Sequence, residues 1–291
     1  MICRMNHPSR FLPTCLAVGA SVVLLATAHA GSVSKAKTGL QLYSLRNQFA
    51  KDVPGTLAEI KGWGLKNVEL AGTYQLSTAQ FKVQLDDYGL NAVSGHYGYD
   101  QFRTNLDWII SDAKILGLKY VGCAWIPHGE QFDEKTCREA IGVFNHAGEI
   151  LAQQGLKFFS HTHGYEFQPF QQGTFFDLLM SETNPKYVSF EMDVFWVVHA
   201  GQDPVKLMEK YGHRWQLMHL KGMKESTPTG FFTGHSDVSN CVPLGQGKID
   251  FPPLLRAAAK AGVKWYFIED ESAASEQQIP ASLHYLDTLK W

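Results

Sequence analysis

Eight short apolar runs alternate with eight helix-like patterns along this chain, and the alternation restricts its fold more than any other feature. The runs that predict strands lie at residues 38–45, 67–71, 91–98, 119–126, 157–163, 188–195, 215–221 and 264–271. The patterns that predict helices lie at roughly 53–63, 77–88, 101–116, 133–154, 174–182, 204–211, 251–261 and 274–288. Strands that alternate with helices in this way form parallel sheets covered by helices. A closed (β/α)₈ barrel is the simplest arrangement, because such a barrel uses about 250 residues.

The first thirty residues are predicted to be a signal peptide and not part of the barrel. Arg4 and Arg10 give a positively charged start, an apolar run occupies 11–27, and Ala-His-Ala forms a cleavage pattern before Gly31. An uncleaved anchor is the alternative, but the run is shorter than the roughly 20 apolar residues that a spanning helix needs. We therefore expect export to a bacterial periplasm, no membrane contact after cleavage, and one TIM barrel domain at 31–291.

Charge and cysteine content exclude several classes of partner and site. The chain has 26 Lys and Arg against 28 Asp and Glu, and no basic cluster, so neither nucleic acid nor an anionic membrane is an expected partner. Cys123, Cys137 and Cys241 are an odd number without C-x-x-C spacing. They predict neither a zinc–thiolate site nor a disulfide framework, and a single disulfide stays an open alternative. The oligomeric state is not determined by the sequence.

Carboxylates and imidazoles close several of the predicted strands on one face. Side chains alternate along a strand, so residues two apart share a face, and the carboxyl ends of barrel strands converge on one rim. The polar residues that this places at the rim are Gln41, Tyr43, Glu69, His96, His161, His163, Glu191, Asp193, His219, Lys221, Glu269 and Glu271. A purely structural protein has no physical reason to gather so many ionisable groups, because burying charge without a partner is costly. The pattern fits a metal site at this rim.

The order and spacing of these motifs resemble the xylose isomerase-like barrel superfamily, which includes sugar phosphate isomerases and epimerases. The resemblance covers nearly all of the chain after residue 30, from Leu-Gln-Leu-Tyr-Ser-Leu-Arg at 40–46 to Ile-Glu-Asp-Glu at 268–271. It implies one divalent cation bound through Glu, Asp, His and Glu on strands five to eight. Carried over by motif, these ligands are Glu166 in HTHGYEF, Asp193 in MDVFW, His219 in HLKG and Glu269 in IED.

The chemistry of this ligand set also follows from the residues themselves. Three carboxylates and one imidazole suit Mn²⁺, Mg²⁺ or Co²⁺, with Zn²⁺ as an alternative. Such a cation can hold a hydroxyl and a carbonyl oxygen of a sugar and make the neighbouring C–H more acidic. The catalytic base that takes the proton is expected to be His163, Glu166 or Glu269. Histidine has the more suitable unperturbed pKa, at about 6.5.

Several individual assignments have alternatives. Glu166 follows a glycine turn and does not lie within strand five, so His161 or His163 is an alternative ligand there. Asp193 has a second reading as a helix cap, and Glu191 lies deeper in its strand and is interpreted as a buried support. The residues expected to bind the substrate are Gln41, Tyr43, Glu69, His96, His161, Trp196 and Lys221. For His96 and Lys221 the alternative is an ordinary strand-end residue, and for Trp196 a core residue.

Four functions compete for this arrangement. The first hypothesis is a metal-dependent sugar isomerase or epimerase, and the second is a 3-keto-glycoside lyase or hydratase that works by β-elimination. The third is a carbohydrate-binding protein that uses the metal without catalysis. The fourth is the endonuclease branch of the superfamily, and the absence of a basic face in the sequence speaks against it. Export and the lack of an arginine cluster favour an unphosphorylated carbohydrate, and the long loop at 222–248 is predicted to be a lid.

Overall fold

The computed structural model describes residues 35–290, so the predicted signal peptide lies outside the described residues. Eight parallel strands close into a barrel: each pairs with the next along the chain, and the first also pairs with the last. The strands are β1 (Thr38–Gln41), β2 (Asn67–Leu70), β3 (Asn91–Tyr97), β4 (Tyr120–Cys123), β5 (Lys157–His161), β6 (Val188–Asp193), β7 (Trp215–Leu220) and β8 (Trp265–Ile268). The predicted TIM barrel is confirmed.

Eleven α-helices lie among the described residues. They are α1 (Arg46–Phe49), α2 (Val53–Gly62), α3 (Thr78–Tyr88), α4 (Tyr99–Thr104), α5 (Leu106–Leu116), α6 (Glu134–Gln153), α7 (Phe175–Glu182), α8 (Val194–His199), α9 (Pro204–Tyr211), α10 (Phe251–Ala261) and α11 (Ser275–Thr288). None of these helices in 35–290 is long and apolar enough to span a bilayer.

The predicted elements differ from the structure mainly at strand ends and at one helix. The pattern at 101–116 is divided into α4 and α5 at Asn105, whose φ of −144° is not helical. The run at 188–195 is a strand only as far as Asp193, where the short helix α8 begins. Apolar side chains continue through both junctions, so hydrophobicity alone does not mark the change of backbone conformation.

The barrel interior below the rim is filled by an apolar layer. It consists of Val93, Tyr120, Phe159, Leu217 and Phe267, which form a cluster of their own inside the ring of strands. Gly122 makes room for this layer, since a Cβ there would lie 2.1 Å from the ring of Phe159. His161, His219 and Glu269 each follow a member of the layer by two residues. They therefore stand directly above it on the same face of their strands.

A second apolar core lies between the outer face of the barrel and the helices. Cys123, Cys137 and Cys241 are buried and unpaired, so the described residues contain no disulfide among them. The long connection after β7 pairs Gly222–Met223 with Cys241–Val242 in a small antiparallel sheet. This pairing holds the base of the predicted lid against the rim.

Candidate metal centre and substrate cavity

A cavity of about 770 Å³ lies at the carboxyl ends of the strands, which is the rim where (β/α)₈ enzymes hold their sites. Of the predicted site residues, those lining it are Gln41, Tyr43, His96, His161, His163, Trp196, His219 and Glu269. Glu69 and Asp193 are fully buried and lie at the rim through their contacts with His219. The structure thus brings most of the predicted residues to one place.

Three side chains at the floor of this cavity leave donor atoms that face one another. Ligand atoms of Asp193, His219 and Glu269 all lie within 4.8 Å of each other. Asp193 Oδ2 and His219 Nδ1 are buried, have no hydrogen-bond partner, and are 3.8 Å apart. His219 Nδ1 is also 3.2 Å from Glu269 Oε2. Buried polar atoms are rarely left unpaired, and a divalent cation between these atoms would satisfy them.

His161 lies beside this group. Its Nε2 is 3.9 Å from Asp193 Oδ2, on the side of the cavity formed by β5, but His161 is not among the three residues whose ligand atoms all lie within 4.8 Å of one another. The sequence left His161 open as the strand-five ligand, and its position next to Asp193 is compatible with that alternative. With His161 included, the donor set would be two carboxylates and two imidazoles, which suits Mn²⁺, Co²⁺ or Zn²⁺ better than Mg²⁺.

The other ring nitrogen of each histidine is held by a carboxylate. His219 Nε2 donates to Glu69 Oε1 at 2.6 Å, and His161 Nδ1 donates to Glu191 Oε2 at 3.1 Å. Without a metal, burial lowers the pKa of His219, but the carboxylates of Glu191, Glu269 and Glu69 outweigh it and hold that pKa well above 6.5. A bound cation would displace the proton on Nδ1, while the proton on Nε2 stays on the carboxylate side. Carboxylates commonly orient metal-binding histidines in this way. Glu69, expected to bind substrate, instead supports His219 and accepts hydrogen bonds from Gln41 and Ser94.

A second group could also hold a metal by distance alone. It consists of His96, His161, Glu191 and His219, again with donor atoms within 4.8 Å. Glu191 Oε2 lies 3.0 Å from His96 Nε2 and 3.2 Å from His219 Nε2. In this group the facing atoms already satisfy one another by hydrogen bonds. The first group is the better candidate for the metal, because its Asp193 Oδ2 and His219 Nδ1 have no hydrogen-bond partner, and Glu191 is interpreted as the buried support that the sequence indicated.

Lys221 lies at the edge of the metal group. Its buried Nζ is 3.1 Å from Glu269 Oε2 and 3.7 Å from Asp193 Oδ2, and it also pairs with Glu271. Burial alone lowers the pKa of Lys221, but the three carboxylates outweigh it and hold the pKa well above 10.5. Lys221 is therefore charged and offsets part of the negative charge of the rim. The same contact, with His219, holds the pKa of Glu269 well below 4.5 against the effect of burial.

His163 lies beyond β5 and lines the cavity next to His161, at 4.5 Å between ring centroids. Its Nδ1 is buried without a hydrogen-bond partner. Burial, with the positive charge of Lys221 and neighbouring imidazoles, holds the pKa of His163 well below 6.5. The ring is therefore neutral at pH 7.

The structure does not bring Glu166 together with the other predicted ligands. Its carboxylate accepts hydrogen bonds from the backbone N–H of His163, at 3.1 and 3.3 Å, and it belongs to neither metal group among the described residues. Gly164, with φ of +96°, turns the chain between the two. Burial raises the pKa of Glu166 to about 7. The position of Glu166 points to a role in fixing the loop that carries His163.

Two further parts of the cavity wall come from the end of β4 and from the long loop after β7. Trp125 follows β4 and lies 4.9 Å from the ring of His163. Gly234 and His235 line the cavity and belong to the long loop after β7, the segment predicted to be a lid. A Cβ at Gly234 would approach Trp125 to 2.8 Å, so the loop packs closely there. The signals available were an aromatic residue directly after strand four and the length of the loop.

A family model described as xylose isomerase-like TIM barrel matches residues 55–289. The chain belongs to this family. Inosose dehydratase of Clostridium botulinum (strain Alaska E43 / Type E3) is 29% identical over 153 residues, which are 50% of this chain and 50% of that protein. The chain thus spans about half the length of the first curated relatives that it matches. Inosose dehydratase of Geobacillus kaustophilus is 24% identical over 275 residues, covering 80% of this chain and 85% of that protein.

Similar solved structures agree with the fold. A sugar phosphate isomerase/epimerase of Parabacteroides distasonis is 26% identical with a TM-score of 0.69, covering 89% of this chain and 95% of that one. The IOLI protein, solved with a bound zinc atom, is 15% identical with a TM-score of 0.67, covering 85% and 95%. The second likeness shows the fold alone. The resemblance seen in the sequence is confirmed.

Proposed function

We propose that this xylose isomerase-like barrel is a divalent-metal-dependent enzyme that removes a proton from the carbon next to a sugar carbonyl. One observation carries the proposal. Asp193 Oδ2 and His219 Nδ1 are buried and unpartnered beside Glu269, on the floor of a ligand-sized cavity. Asp193, His219, Glu269 and His161 would hold the cation. Bound there, it would supply a Lewis acid that polarises a carbonyl and acidifies the adjacent C–H.

The base for this proton is assigned to His163. Of the three expected bases, His163 and Glu269 line the cavity, whereas Glu166 is bound to the backbone of the β5 loop. Glu269 Oε2 already contacts Lys221 and faces the metal position. His163 is neutral and has an unused Nδ1. A general base has to reach its proton, and among these three His163 is the one that lines the cavity and has a ring nitrogen without another contact.

Besides the metal ligands and the base, Lys221 and two tryptophans contribute to the proposed site. Lys221, expected from the sequence to bind substrate, is buried and does not line the cavity. Its ammonium pairs with Asp193, Glu269 and Glu271, so its proposed role is to balance the charge of the carboxylates around the metal position. Trp125 and Trp196 flank His163, at 4.9 and 6.0 Å between ring centroids. Their rings offer apolar faces to the C–H face of a sugar and exclude water from the base.

The substrate is proposed to be an unphosphorylated keto-sugar. In the described part of the chain no lysine or arginine is among the residues that line the main cavity. Glu269 and Glu271 line the cavity, whereas Lys221, which pairs with both, is buried behind them. A phosphate in the cavity would therefore meet carboxylates and no lysine or arginine side chain. Return of the proton to a different carbon, or to the opposite face, gives isomerisation or epimerisation.

Elimination is the second candidate outcome, and the relatives named inosose dehydratase favour it. The same base removes the same proton, but a β-oxygen substituent then leaves instead of the proton being returned. Isomerisation conserves the mass of the substrate, whereas elimination releases water or an alcohol.

The test uses metal-loaded protein in deuterated water with a panel of keto-sugars. We expect deuterium to enter at a carbon next to the carbonyl, and Asp193→Ala to lose both metal and exchange. His163→Ala should retain the metal and lose the exchange. Mass spectrometry of the product separates isomerisation from elimination. Full metal occupancy with no exchange across the panel would favour the non-catalytic carbohydrate-binding protein.

We also propose that the chain is exported and that its mature form begins at Gly31. The apolar run at 11–27 and the cleavage pattern that follows it support this. Amino-terminal sequencing of the protein from its native host tests the proposal, and a mature chain that retains residues 11–27 would contradict it.

A further inference from the structure

A second cavity of about 580 Å³ adjoins the main cavity on the side of β2 and β3. The residues that line both are Ala71, His96, Tyr97, Gly98 and Gln101. Each cavity by itself has the size of an ordinary small-ligand pocket, roughly 300–1,000 Å³. The rim therefore offers two adjoining compartments, and only the first contains the metal group.

The walls of the second cavity combine an aromatic surface with aliphatic side chains. Trp108, on α5, is 44% exposed although it is a large apolar residue. It packs edge-on against Tyr97, with ring centroids 6.0 Å apart. Leu70, Leu76 and Leu116 complete the apolar part. An exposed indole face in a concave site suits a flat ligand that has an apolar face and polar edges.

Asp112 gives the cavity a polar anchor. Its carboxylate is buried and accepts hydrogen bonds from Tyr97 OH at 2.7 Å and from the Thr78 hydroxyl. An ionised carboxylate has about four acceptor positions, so roughly two are left for hydroxyl groups of a ligand. Within 35–290 the lining of this cavity includes no lysine or arginine. A negatively charged group would face Asp112 without compensation, whereas a ligand with hydroxyl groups would be satisfied.

We propose that the second cavity binds a second sugar ring, so that the substrate is a neutral keto-disaccharide whose reacting ring lies at the metal centre. This inference rests on the proposed function. The second ring stacks on Trp108 and donates hydroxyl hydrogen bonds to Asp112. His96 lines both compartments and bonds Glu191, and it marks the position where the glycosidic link passes from one to the other.

The test compares the affinities of two probes for metal-loaded protein by titration calorimetry. The probes are methyl 3-keto-glucoside and a 3-keto-disaccharide of two glucose units. We expect the disaccharide to bind about tenfold more tightly. Trp108→Ala should remove this advantage and leave the affinity for the methyl glycoside unchanged, while Trp108→Phe should restore part of it.

Ile115→Ala is the matched control, because Ile115 lies on the same helix, is 46% exposed and does not line the cavity. Asp112→Asn is a second variant that keeps the shape of the side chain and should also weaken only the disaccharide. Equal affinities for the two probes, or equal losses in Trp108→Ala, would overturn the proposal. Tighter binding of a sugar phosphate or an aryl glycoside than of the disaccharide would also overturn it. A disaccharide preference without deuterium exchange would leave this subsite standing and refute the proposed reaction.

Discussion

Glu191 does not belong to the proposed ligands, but it contacts the histidines among them. It is fully buried, and its Oε2 faces His96, His161 and His219 at 3.0 to 3.2 Å. These contacts hold the pKa of Glu191 well below 4.5, although burial alone would raise it. The carboxylate is therefore charged and fixes the orientation of His161 and His219, the two rings proposed to bind the metal through their opposite nitrogens.

We predict that Glu191→Gln lowers the metal affinity by roughly 10–100-fold without removing a ligand. Titration of the metal-free protein with Mn²⁺ or Zn²⁺ gives the affinity. Glu149→Gln serves as the control, because Glu149 is exposed on α6. Loss of all binding at saturating metal would instead make Glu191 a direct ligand, and an unchanged affinity would remove its supporting role.

Glu166 should make the stability of the protein depend on pH. Its pKa is raised from 4.5 to about 7 by burial, so between these values the folded state holds a proton that the unfolded state lacks. The resulting stabilisation is complete below pH 4.5 and is lost as the pH rises through about 7. Relative to Glu166→Gln, the free energy of unfolding of the wild type should fall by ~3 kcal/mol over this range.

Urea unfolding at several pH values, with a chelator present, checks this expectation. Glu149→Gln should follow the wild type at every pH. If Glu166→Gln has the same pH profile as the wild type, the carboxyl group of Glu166 is not protonated in the folded protein.

At the scale of elements, Asp193 at the junction of β6 and α8 can cap the helix and bind the proposed metal at the same time. Asp193 Oδ1 accepts hydrogen bonds from the backbone N–H of Phe195 at 2.8 Å and of Trp196 at 3.2 Å. It therefore caps α8, and its Oδ2 stays free for the metal. The two readings that the sequence left open, ligand and cap, are compatible because the carboxylate uses a different oxygen for each.

Two substitutions should separate these tasks. Asp193→Asn keeps an acceptor for the cap and loses the charge, so metal binding should fall while the stability of the metal-free protein changes little. Asp193→Ala should lose the metal and a further ~1 kcal/mol of unfolding free energy with the cap. Chemical denaturation in chelator and metal analysis measure the two effects. Equal stability of both variants would show that the cap contributes nothing.

The sequence predicted the elements well and the depth of individual side chains less well. Alternation placed His161, His219 and Glu269 on the inner face of the barrel, because that face is set by the strand period alone. The alternation of side chains did not reveal that Glu69 is buried below the cavity and does not line it. The register shifts directly before Glu69 and before Glu191, and hydrophobic spacing contains no sign of such a bulge. Glu166 lies beyond the end of β5, where the strand period no longer applies.

At the scale of the whole molecule, the metal should stabilise the fold because the folded state assembles its ligands from β5 to β8. Binding adds ~2.7 kcal/mol of unfolding free energy at a free metal concentration of 100 times the dissociation constant. We therefore predict a rise in melting temperature with added Mn²⁺ or Zn²⁺ that a chelator reverses. His219→Ala should show no rise, and an equal rise in that variant would place the metal elsewhere.

The apolar layer of Phe159, Leu217 and Phe267 below the rim determines from which side a ligand can reach the barrel interior. This layer closes the interior from below, so a ligand of the main cavity enters and leaves on the rim side, which is bordered by the loop that carries Gly234 and His235. In the proposed reaction, product would therefore leave on the same side of the barrel by which substrate enters.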